Sequence, residues 1–112
     1  MCSQNTLDNI IKLIKKMYFE QYQDRIRKVY LYGSYARGDN DDYSDIDIVA
    51  IVDGKREELQ DRLKAIWTQS ARLGYDNDVI ISPAVIPYSE FEKYKDAHPY
   101  YRNIIDEGID VS

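Results

Sequence analysis

The sequence predicts an α/β chain of the α+β kind, a small mixed sheet with flanking helices. Two long stretches, Leu7 to about Tyr22 and Lys55 to Leu73, repeat apolar residues at helical spacing. Three short runs, Val29–Tyr32, Asp45–Val52 and Asp78–Ile81, are rich in the Val, Ile and Tyr that strands favour. With 112 residues the chain reads as one domain, 1–112, long enough for a core and too short for a second one.

Taken in order, the first helix presents Leu7, Ile10, Ile11, Ile14, Met17 and Tyr18 on one side, with Thr6 as its N-cap. The strand Val29–Tyr32 runs into Gly33-Ser34, and the strand from Asp45 to Val52 ends at Asp53-Gly54. In the second helix Leu59, Leu63, Ile66, Trp67 and Leu73 form the core stripe, and Gly74 suits the C-terminal cap. Asp78–Ile81 reads as a third strand, and Pro83 and Pro87 keep the stretch after it out of a central strand. Ser89-Glu90-Phe91-Glu92 has capping-box spacing and opens a helix toward Asp96. His98-Pro99 interrupts it. A last helix through Tyr100, Ile104 and Ile105 stops at Gly108, leaving Ile109-Asp110-Val111 as a short strand or tail.

The chemistry concentrates between the first two strands. Gly33 turns sharply where a side chain would block a close ligand, and Ser34 offers a backbone N–H and a hydroxyl. A short helix from Tyr35 to Arg37 would turn its free N–H groups toward the same anion, with Arg37 adding positive charge. Downstream, Asp45 and Asp47 share one face of a strand while Ile46, Ile48 and Val49 suit burial. Two carboxylates about 4 Å apart repel by roughly 4 kcal/mol at an effective dielectric near 20, a conflict that a hard dication removes. Mg²⁺ fits, because it takes one or two carboxylates together with substrate phosphates. An anion site beside a dication site points to nucleotidyl transfer.

Other readings of the same residues fail on position. Gly33 and Gly38 have P-loop spacing, but Asp39 and Asn40 stand where Lys and Ser/Thr belong. As an EF-hand, the acidic run from Asp39 would put Tyr43 at a ligand position, Ser44 at the turn glycine and Ala50 at the closing glutamate. Asp39, Asp41 and Asp42 are read as a solvated turn; Asp45 and Asp47, set among Ile and Val, are not.

Net charge of −5 and a pI near 4.8 argue against a strong grip on a phosphate backbone, and so against templated polymerisation. Cys2 is the one cysteine, an incidental terminal thiol that excludes an internal disulfide or a cysteine-based zinc site and suits a reducing cytoplasm. His98 is the only histidine and is assigned a surface or capping role. No apolar stretch approaches the roughly 20 residues that cross a bilayer, so the chain reads as cytoplasmic. Eleven tyrosines pack into the core, or a subset at Tyr88, Tyr94, Tyr100 and Tyr101 paves a partner surface; the sequence leaves both open.

Gly33-Ser34-Tyr35-Ala36-Arg37-Gly38 followed by Ser44-Asp45-Ile46-Asp47-Ile48 resembles the signature of the minimal nucleotidyltransferases of the DNA polymerase β superfamily. Within that superfamily the stretch is similar to the antitoxins of two-gene pairs whose toxin is a helical HEPN-domain protein. The resemblance implies a polymerase-β-type nucleotidyltransferase fold, with ATP as substrate at Gly33, Ser34 and Arg37. It also implies two Mg²⁺ ions on Asp45, Asp47 and a third carboxylate from a neighbouring strand, a slot that Asp78 fits better than Asp76. The implied reaction moves AMP to a hydroxyl of a protein acceptor, a tyrosine of the HEPN toxin, in a homo- or hetero-oligomer. Two rivals stand beside it: an aminoglycoside-type transferase acting on a small molecule, and a non-catalytic module that blocks a toxin by covering it.

Overall fold

The computed structural model describes residues 3–41 and 44–112; Cys2, Asp42 and Tyr43 lie outside them. In chain order the elements are α1 Gln4–Tyr22, β1 Ile26–Tyr32, α2 Ser34–Arg37, β2 Ile46–Val52 and α3 Arg56–Asn77. They are followed by β3 Ile81–Pro87, α4 Tyr88–Tyr94, α5 Pro99–Glu107 and β4 Ile109–Asp110. The sheet order is β3-β2-β1-β4. β1 is antiparallel to both its neighbours, whereas β2 and β3 run parallel through the long α3 crossover. The mixed sheet with flanking helices is the fold class that the sequence predicts.

Alternation along the strands builds two cores. Ile46, Ile48, Ala50 and Val52 of β2, with Val29 and Leu31 of β1, pack against Leu7, Ile10, Ile14 and Tyr18 of α1 and Leu59, Leu63 and Ile66 of α3. Val49 and Ile51 point the other way, joining Ile86 of β3, Phe91 of α4 and Tyr101 and Ile104 of α5. Asp47 therefore lies on the α4/α5 side of the sheet, in line with Val49 and Ile51. The Tyr18 hydroxyl, fully buried, reaches from α1 to the β2–β3 seam, where the carbonyls of Ala84 and Ile48 lie 2.7 and 3.2 Å away.

Several boundaries differ from the sequence expectation. α1 starts earlier, capped by Ser3 Oγ, which accepts from the Thr6 N–H at 3.1 Å; Thr6 is not the cap. α3 runs on through Gly74 to Asn77 and closes with Asp78 in the left-handed conformation, φ 56°. Gly74 serves packing instead, because a Cβ there would press into the Val79 carbonyl. β3 comprises residues 81–87, so the strand expected at Asp78–Ile81 is displaced. It contains both prolines but lies at the sheet edge. The ladder opens with the Ile46 N–H donating to the Ile80 carbonyl, which turns the backbone of positions 81, 83, 85 and 87 outward, so neither proline removes a ladder bond. Trp67, expected in the core, is 59% exposed and donates its Nε1–H to the outward Pro83 carbonyl at 3.0 Å; Gln60 reaches that of Val85 at 3.5 Å. α4 begins at Tyr88 after Pro87, with no side-chain cap at Ser89. His98 caps α5, its Nδ1 accepting from the Tyr100 N–H at 3.2 Å. Among the described residues, no helix is long and apolar enough to cross a membrane.

Candidate active site

The β1–α2 turn and the start of β2 meet at one end of the sheet. Tyr32 of β1 pairs in register with Asp47 of β2, so the chain leaving β1 passes directly beside that carboxylate. Gly33 follows at φ 74° and ψ −156°, a conformation essentially reserved for glycine. Its missing side chain matters as much as its backbone. A Cβ at Gly33 would overlap Asp47 Oδ2 and lie 3.3 Å from Asp47 Cγ. The two halves of the sequence signature are thus packed against each other.

α2 is a single turn, fixed from both sides. The Gly33 carbonyl accepts from the N–H groups of Ala36 and Arg37, each at 3.1 Å, and the ring of Tyr35 is buried in the α1/α3 core. So short a helix has little dipole to offer. Ser34, half-buried at its start, carries the turn's hydroxyl. Gly38 closes the turn at φ 81°, its N–H donating to the Ser34 carbonyl at 2.9 Å.

Asp45 and Asp47 flank buried Ile46 and are both half-buried. Burial, and then the charge of Asp45, pushes the Asp47 carboxyl above the ordinary carboxylate range, while Arg37 pulls it back in part. Ser82 of β3 is paired in register with Asp47, and its hydroxyl donates to Asp45 Oδ2 over 3.4 Å. On the opposite flank the hydroxyls of Tyr32 and Tyr100 are 2.9 Å apart. Burial is the largest cause holding both phenols above their usual range, and the nearby Asp47 charge adds to it. Both therefore remain neutral at physiological pH, and one of the two donates its proton to the other. This tyrosine pair had no readable signal in the sequence, because it joins β1 to α5 across 68 positions.

The other expected site residues are placed less centrally. Arg37 is half-exposed and paired with Asp39 and with Glu107 of α5, each at 3.2 Å. Asp78 is exposed at the end of α3, three residues before β3, and Asp76 is an exposed residue inside that helix. Among the described residues no three His, Cys, Asp or Glu side chains are grouped to hold a metal, so the structure brings Asp45 and Asp47 together without Asp78. The left-handed closure of α3 explains the difference: it ends the helix at Asp78 before the strand begins. Asp39 and Asp41 are exposed, as the solvated-turn reading requires.

Two proteins of Methanocaldococcus jannaschii, each named a "putative protein adenylyltransferase", are similar in sequence. One is 38% identical over 76 residues, covering 68% of this chain and 75% of its own length. The other is 33% identical over 88 residues, covering 79% and 80%. Among solved structures, a toxin–antitoxin with AMP-PNP superposes with a TM-score of 0.57 at 18% identity, over 93% of this chain and 73% of that one. A MntA–HpeT toxin–antitoxin carrying a tyrosine-to-alanine change gives 0.57 at 19% identity, over 100% and 73%. At such identities the structural likeness speaks for the fold. The model of the nucleotidyltransferase domain matches residues 10–111, which span the Gly-Ser turn and both aspartates, and the chain belongs to that family.

Proposed function

We propose that residues 1–112 act as one Mg²⁺-dependent nucleotidyltransferase that moves AMP from ATP to a tyrosine hydroxyl of a HEPN toxin, and so serve as its antitoxin. The observation that carries this reading is the contact of Gly33 with Asp47, which sets an open backbone turn against a pair of carboxylates. The adenylyltransferase names of the M. jannaschii relatives and the toxin–antitoxin neighbours support the choice of nucleotide and partner.

The donor set suits a hard divalent ion. Asp47 is raised by burial and by Asp45, a conflict that a cation between the two relieves. Asp45 and Asp47 would hold that ion; when bound with the triphosphate, it supplies charge neutralisation for the departing pyrophosphate. The chain's own groups do the positioning. Gly33 lets the turn pass directly against Asp47, Ser34 offers its N–H and hydroxyl, and Arg37 contributes positive field. The hydrogen-bonded Tyr32 and Tyr100 hydroxyls stand on the flank with one proton between them left to donate. The acceptor oxygen bonds to the α-phosphorus as the bond to pyrophosphate breaks, and the acceptor proton passes to solvent. Phosphoryl chemistry asks mainly for placement and charge stabilisation, so no histidine or cysteine is required.

The test is to incubate the protein with α-labelled ATP, Mg²⁺ and the product of the adjacent gene. The label should appear on that product, and Asp47→Asn should lower transfer by about 10² to 10³-fold, the scale for losing one charge-stabilising group. Undiminished labelling by the variant refutes the assignment. Neutralisation of a toxin by both proteins without labelling identifies a blocking module instead.

A further inference from the structure

We propose that Ser82 limits this site to a single tightly held divalent ion. The inference rests on the nucleotidyl-transfer reading and concerns how the site is equipped for it. β3 is the strand beside β2, and the parallel register sets Ser82 directly opposite Asp47. Ala84 and Ile86 pack into the α4/α5 core, so alternation turns Ser82 to the same side as Asp47. Its hydroxyl lies 3.4 Å from Asp45 Oδ2. The β3 side chain nearest the carboxylates is therefore a neutral hydroxyl.

Charge decides the consequence. Two carboxylates balance one dication, and the triphosphate completes its shell. A second ion about 3.5–4 Å from the first, placed to serve the attacking oxygen, needs an anionic ligand on its far side. Asp78 does not supply it from the exposed end of α3. A serine hydroxyl is a weak ligand for a hard dication beside a carboxylate, and here it faces Asp45 across a long 3.4 Å contact. Ser82 is thus the point at which the site's capacity for metal is set.

Electron paramagnetic resonance of Mn²⁺ tests this without turnover. With AMP-PNP at half the protein concentration and Mn²⁺ titrated in, the wild type should give the spectrum of isolated ions at every ratio. Ser82→Asp should develop the exchange-coupled spectrum of a close pair and bind its second ion at least about tenfold more tightly, because ligand charge governs such affinities. An exchange-coupled pair in the wild type overturns the proposal, as does a folded Ser82→Asp protein that behaves like wild type. Should Ser82→Asp fail to fold, the wild-type spectrum still decides. A wild type that binds neither Mn²⁺ nor AMP-PNP fails differently: it refutes the transferase reading itself.

Discussion

The α-carbon of Gly33 sits against the carboxylate of Asp47 so closely that a methyl group on it would occupy the space of Oδ2. Gly33→Ala must therefore displace the aspartate as well as adopt a backbone conformation foreign to L-residues. Destabilisation by about 1–3 kcal/mol is expected from the backbone alone. Transfer should fall by at least about 10²-fold, as for the loss of a charge-stabilising group. Urea unfolding and a labelling assay on the same preparation measure the two effects. Full activity in Gly33→Ala would show that the contact has no part in the site.

Asparagine replacements separate the three aspartates. Asp45→Asn and Asp47→Asn should each reduce transfer by about 10² to 10³-fold, whereas Asp78→Asn should leave it unchanged. Asparagine tolerates the left-handed conformation at position 78, so the fold is not disturbed. A loss in Asp78→Asn equal to that in Asp47→Asn would return Asp78 to the site.

Asp47 also carries a stability signature. Because its folded carboxyl is raised, the folded state keeps a proton that the unfolded chain has already released, and stability falls as pH rises out of the ordinary carboxylate range. Without metal, Asp47→Asn should therefore melt no lower than wild type at pH 7 and gain on it between pH 4 and 7. A thermal-melting series across that range reads the sign directly.

Tyr18 and Tyr22 predict the alkaline limit. Burial holds the Tyr18 phenol well above its usual range and pushes that of Tyr22 up to about 12. The Tyr22 hydroxyl donates to the Leu59 carbonyl at 2.7 Å. The contribution of Tyr22 is complete below the ordinary phenol value near 10 and is lost as pH climbs through about 12. The phenolate absorbance of these two should thus appear together with loss of helical circular dichroism. Tyr18→Phe should cost about 0.5–1.5 kcal/mol at neutral pH, the worth of an intramolecular hydrogen bond, since it removes the hydroxyl from the β2–β3 seam.

Arg37 bridges the turn and α5 through exposed ion pairs that solvent screens. Arg37→Ala and Glu107→Gln should therefore leave the melting temperature nearly unchanged. Calorimetric titration with AMP-PNP should tell them apart. Loss of the cation weakens binding by about tenfold or more, as for a charged hydrogen bond, while loss of its carboxylate partner does not. Equal binding by all three proteins would confine Arg37 to tying the turn to α5.

Much of this architecture was legible because its causes are local. Helical spacing exposed α1 and α3, strand alternation put Asp47 on one face, and the Gly33-Ser34 pair marked the turn. His98 and Gly108 were readable as helix boundaries for the same reason. What was hidden depends on neighbours distant in sequence. A glycine near the end of α3 looks like a cap, yet Gly74 makes room for the Val79 carbonyl and the helix continues. Prolines argue against a strand until the register shows that Pro83 and Pro87 point away from the ladder. Moving β3 three residues along took Asp78 out of the carboxylate group and brought Ser82 in, so the site's composition turned on one strand boundary.

The outer rim of β3 has a consequence for assembly. Two of its four outward positions are prolines without an N–H, and two outward carbonyls already receive side-chain donors from α3. The opposite rim is β4, two residues long. Another polypeptide finds little backbone to zip onto along β3, which protects that rim from runaway stacking into fibrils. A protein meeting the molecule from this side has only complementary side-chain relief to recognise.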